Sequence, residues 1–99
     1  MNIISVFGSI LFKESIENFS NKITLDKKCI VFLPSRFSSD KPFYLSNKEE
    51  EIYHVIDLQK IDISSELYIV SKYNFIDFYS MKIIEYACNK NINIKYINL

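Results

Sequence analysis

Gly8 is the only glycine in the 99-residue chain, and His54 and Arg36 are the only residues of their types. With just two prolines as well, nothing reads as a linker, an internal repeat or a low-complexity segment. The two cysteines, Cys29 and Cys88, sit in apolar stretches without a His or Cys at ligand spacing. That pattern argues against a disulfide or a metal site and for buried thiols in a reducing compartment. Charge of either sign is not in excess: twelve basic residues balance twelve acidic ones, and no basic cluster exceeds the pair Lys27 and Lys28. An electrostatic footprint for polymeric nucleic acid or an anionic membrane is therefore missing. No apolar run approaches the ~20 residues that cross a bilayer, and the start lacks the basic, apolar and cleavage segments of a leader. A cytoplasmic protein is the expectation.

Apolar material, by contrast, is plentiful. The chain is 48% hydrophobic, with eight Phe and seven Tyr and zero net charge. This composition suits one folded domain spanning residues 1–99 and disfavours disorder.

Local pattern divides the chain into alternating elements. Ile3 to Phe7 is a short β-rich run ended by Gly8. Phe12, Ile16, Phe19 and Ile23 then recur at helical spacing, predicting an amphipathic helix to about Leu25. "CIVFLP" reads as a fully buried strand stopped by Pro34, and "SRFSSDKPFYL" as a loop. Ser46 and Glu49 form a capping box, opening a second helix to about Lys60 with Ile52, Val55, Ile56 and Gln59 on its inward face. "ELYIV" is a third strand, "SKYNFID" a loop, Tyr79 to Asn89 a third helix with Ile83, Tyr86 and Ala87 inward, and "NIKYIN" a fourth strand. This alternation predicts an α/β, Rossmann-like three-layer sandwich: a parallel sheet of order 2-1-3-4, with one helix on one face and two on the other.

Such sheets bind ligands beyond the carboxyl ends of their strands. The residues there are Gly8 and Ser9 after strand one, Ser35, Arg36 and Phe37 after strand two, and Lys72 to Asp77, including Asn74, after strand three. Gly8 either lets a ligand approach the backbone or simply serves the turn. Ser9 can cap the following helix or donate to a phosphate or sugar, and Arg36 is an ion-paired surface residue or an anion clamp. Asp57 reads as an exposed helix residue and Asp77 as the N-cap of the last helix, and either is also a candidate catalytic carboxylate. His54 reads as a surface histidine. Phe37, Phe43, Tyr44, Tyr73, Phe75, Phe78 and Tyr79 stack a base, close a small core or meet a second subunit.

The segments "VFGSILFK", "YHVIDLQKIDISSELYIVS" and "IDFYSMKIIEYACNKNINIKYI", in this order and spacing, resemble the nucleoside 2-deoxyribosyltransferase family. The resemblance implies a Rossmann-like fold, no cofactor, oligomeric assembly and a glutamate nucleophile four residues before the alanine of a Tyr-Ala pair. Tyr86 and Ala87 match that pair, and Asp57 and Asp77 match the two assisting aspartates. The nucleophile position, however, is Ile83, which cannot form a glycosyl ester. Small residues around it are replaced by Asn74, Phe78 and Tyr79, and Glu85 lies about 200° round the helix, so it does not substitute. Three readings follow. One is a nucleoside- or nucleotide-binding domain without covalent chemistry, using Gly8, Ser9, Arg36, Phe37 and Asn74 for the ligand and retaining Asp57 and Asp77. Another is an N-glycosidase with Asp77 as general base on water. The third is a protein-interaction module, such as a regulator or a phage-type inhibitor of a host defence system. A homodimer through the second or third helix is expected to cover surplus aromatics.

Overall fold

The computed structural model describes residues 2–99. It has β1 (Ile3–Phe7), α1 (Lys13–Lys27), β2 (Ile30–Phe32), α2 (Asn47–Asp62), β3 (Glu66–Ser71), α3 (Phe78–Asn89) and β4 (Asn93–Asn98). Short 3₁₀ turns at Ile10–Phe12 and Ser35–Ser38 follow β1 and β2. All four strands run parallel in the order β2-β1-β3-β4, so this is the expected α/β sheet with its crossovers.

Strict alternation along the central strands splits the apolar residues between two cores. Ile4 and Val6 of β1 and Tyr68 and Val70 of β3 pack with Ile16 and Ile23 of α1. Phe7, Leu67 and Ile69 face the other way, against Ile61 of α2 and Ile83 and Ala87 of α3. One helix thus covers one face and two cover the other. Each fully buried Ile or Leu removes enough apolar surface from water to stabilise the fold by about 1.5–3 kcal/mol.

Three local expectations are corrected. "CIVFLP" is not a fully buried strand: β2 pairs with β1 over three residues only, at the sheet edge, and Ile30 is exposed. Its apolar run reflects packing of Val31 and Leu33 under α1, while the edge side faces solvent. Secondly, α2 buries a different face. Asp57 and Ile61 are buried, with Leu58 packed beside them, and Ile52, Val55, Ile56 and Gln59 lie outside. Apolar residues occur on both sides of α2, so periodicity alone does not orient it, and the polar contacts of Asp57 do. Thirdly, Cys88 is exposed on the outer side of α3, whereas Cys29 is buried as expected. No helix among the described residues is long and apolar enough to cross a membrane.

Candidate functional site

Asp57 organises the carboxyl edge of the α2/α3 face. It is 1% exposed, which corrects the expectation of a surface residue. Its Oδ1 accepts from the Ser35 amide at 2.9 Å and the Ser35 hydroxyl at 2.8 Å, and its Oδ2 accepts from the Tyr79 hydroxyl at 2.7 Å. Lys60, one turn further along α2, lies 3.5 Å from Oδ1 and donates to the Leu33 carbonyl at 2.7 Å and Ser35 Oγ at 3.0 Å. A buried carboxylate with a cation and three donors is fully satisfied, so it clamps the 3₁₀ turn after β2 and the start of α3 onto α2.

The clamp continues outward. Nδ1 of His54 is 3.2 Å from the Tyr79 hydroxyl, with the two rings edge to face at 5.6 Å. Because that hydroxyl gives its proton to Asp57, it accepts from His54, which fixes Nδ1 as the protonated nitrogen and leaves Nε2 as the second ring position. Burial, then the charge and hydrogen bond of Asp57, push the Tyr79 hydroxyl pKa far above its ordinary value, so Tyr79 stays a donor. His54 is therefore not a free surface histidine. It is half-buried on the same helical side as Asp57, three residues away.

These side chains form one wall of a cleft of about 270 Å³ between α2, α3 and the Ser35–Ser38 turn. Tyr53 and Asn47 add an aromatic ring and an amide, and Arg36 of the Ser35–Ser38 turn and Lys82 of α3 bring positive charge. Glu50 holds Arg36 at 3.1 Å, and both Glu50 and Glu51 line the cleft.

The positions singled out in the sequence do not all meet here. Arg36 and Asp57 line the cleft, and Gly8, Ser9, Phe37, Asn74 and Asp77 do not. A Cβ on Gly8 would strike the Val70 carbonyl oxygen and come within 2.6 Å of Ile16 Cδ1, so the missing side chain lets α1 approach β3. Ser9 is buried and caps the first 3₁₀ turn, accepting from the Leu11 amide at 3.2 Å. Phe37 is buried in the α1-side core. Asn74 has φ 58° in a tight turn, and its amide donates to the Asn98 side chain at 3.0 Å. Asp77 is the N-cap of α3, accepting from the Ser80 amide at 2.9 Å. Ile83 is 0% exposed within the α2/α3-side core. Sequence reasoning missed His54, Tyr53, Asn47 and Lys82 as cleft residues. The three-residue spacing of His54 and Asp57 was the available signal, and it points inward only once the buried face of α2 is known.

No protein-family model and no curated protein matches this chain. Among the described residues no group of three or more His, Cys, Asp or Glu gathers as metal ligands do.

Proposed function

We propose that this chain is a nucleoside- or nucleotide-binding domain that does not transfer sugars, with its ligand in the cleft between α2, α3 and the Ser35–Ser38 turn. The observation that carries the reading is the lining of that cleft. Aromatic rings from Tyr53, His54 and Tyr79 offer stacking surfaces for a base, and because Glu50 holds Arg36, Lys82 is the lining cation left to meet a phosphate beside the carboxylates of Glu50, Glu51 and Asp57. Its volume, about 270 Å³, lies at the lower end of small-molecule sites at ~300 Å³, which suits one nucleoside or mononucleotide rather than a dinucleotide. The resemblance to nucleoside 2-deoxyribosyltransferases is consistent with that ligand class. Loss of chemistry follows from Ile83, an apolar residue inside the core where the family carries its nucleophile. Asp77 does not support the hydrolytic alternative, since its carboxylate is engaged as a helix cap.

Thermal melts with purine and pyrimidine nucleosides and their monophosphates test the reading. A ligand at 100 times its dissociation constant adds ~2.7 kcal/mol to native stability, a readily measured rise in Tm. The rise is expected to shrink in Tyr53→Ala and, for the monophosphates, in Lys82→Ala. No rise with any of these compounds overturns it. The protein-interaction reading would then lead, favoured by the exposed aromatics Tyr44, Tyr73 and Phe78.

A further inference from the structure

Most of the polar groups around the cleft are already occupied, and those on α2 that stay free share one character. Asp57 is saturated by Ser35, Tyr79 and Lys60, and Glu50 is held by Arg36. Glu51 enters no ion pair among the described residues, which leaves its carboxylate as an acceptor. His54 gives its Nδ1–H to the Tyr79 hydroxyl, whose own proton goes to Asp57, so the neutral imidazole keeps its lone pair on Nε2. Among the described residues nothing bonds to Nε2, and it is open to solvent.

The spacing of these two acceptors says what they can receive. Glu51 and His54 both line the cleft and lie three residues apart on α2, where side chains are neighbours with roughly 5–6 Å between Cβ atoms. Two hydrogen bonds of ~2.9 Å leaving one nitrogen at ~120° end about 5 Å apart, a comparable span. A group with two N–H bonds on one nitrogen fits such a pair, and on a nucleobase that group is an exocyclic amino group. A ring N–H flanked by carbonyl oxygens fits poorly: it serves one acceptor and sets its oxygens against the carboxylate.

We infer that the cleft selects nucleosides whose base carries an exocyclic amino group, received by Nε2 of His54 and the carboxylate of Glu51. Asp57 and the Tyr79 hydroxyl are positioning groups, acting through His54 by holding its proton on Nδ1. Lys82 remains available for a phosphate. This selectivity rests on the cleft being the nucleoside site proposed above.

Two measurements at pH 8, above the usual range of histidine titration, test it. Nitrogen NMR of the unliganded chain reads the tautomer directly, since His54 is the only histidine. The proton is expected on Nδ1 in the native protein and on Nε2, the ordinary preference of imidazole, in Tyr79→Phe. Calorimetry is expected to give dissociation constants about tenfold or more lower for cytidine than for uridine and for adenosine than for inosine. N6,N6-dimethyladenosine, which keeps the purine but has no amino N–H, should bind as weakly as inosine. His54→Gln and Glu51→Gln should each narrow these ratios, because the Gln amide offers a donor as readily as an acceptor. A proton on Nε2 in the native chain, equal binding within each pair, or ratios unmoved by His54→Gln would overturn the selectivity and leave the nucleoside site standing. No binding of any of these nucleosides would overturn both.

Discussion

Asp57 departs from the surface role its residue type suggests, whereas Ile83 keeps to its own. The carboxylate is buried and holds three segments together, while Ile83 is core packing. Tyr79 links the two aspects, since it joins Asp57 to His54 and lines the cleft. Its hydroxyl is held protonated by burial and by the neighbouring carboxylate. In the unfolded chain a tyrosine ionises at about pH 10. The folded pKa is raised, so this contribution to stability is fully present below about pH 10 and is lost as pH rises above that value. Tyr86, raised through its hydrogen bond to Asp62, shifts in the same direction. Urea midpoints measured from pH 8 to pH 11 are therefore expected to fall at the alkaline end, and Tyr79→Phe should flatten part of that fall. An equally steep fall in Tyr79→Phe would show that the hydroxyl does not sense Asp57.

At the scale of elements, the ends of the helices are well specified by local chemistry. Ser46 accepts from the Glu49 amide at 3.1 Å while Glu49 accepts from the Ser46 amide at 3.0 Å, the reciprocal pair that starts α2. α1 ends less favourably. Lys28 closes it with φ 51° and ψ 51°, a left-handed conformation that crowds any Cβ and is usually taken by glycine. Lys28 is exposed, so little packing depends on its side chain. Lys28→Gly is expected to stabilise the protein by ~0.5–1 kcal/mol, the relief of left-handed strain less the extra flexibility of glycine. Chemical denaturation measures it, and a decrease in stability would mean that the Lys28 side chain contributes an interaction of its own.

For the whole molecule, one sheet separates two cores, and the cleft lies on the side where two helices meet. That arrangement makes Ile83 part of the support beneath the candidate site. Ile83→Glu is expected to give no base exchange between deoxynucleosides, because the new carboxylate would enter an apolar, fully buried position without a partner. It should instead destabilise the fold by several kcal/mol, visible as a large drop in Tm. Base exchange by the unmodified protein in an overnight assay would contradict the proposal that this chain does not transfer sugars.

The helix caps and the order of elements were legible from residues alone, because each depends on near neighbours, as Ser46 does on Glu49 and Asp77 on Ser80. Those local signals determined an α/β sheet of order 2-1-3-4 with helices on both faces. They did not orient α2, whose apolar residues occur on two sides, nor reveal that "CIVFLP" lies at an edge. Only the tertiary structure turned Asp57 inward to Ser35 and Tyr79, brought His54 with it and left Ile52, Val55 and Ile56 outside. The physical reason is separation along the chain. The hydrogen-bond donors to Asp57, Ser35 and Tyr79, lie twenty-two residues away on either side, and no periodicity within a helix records the hydrogen bonds that such distant groups will supply.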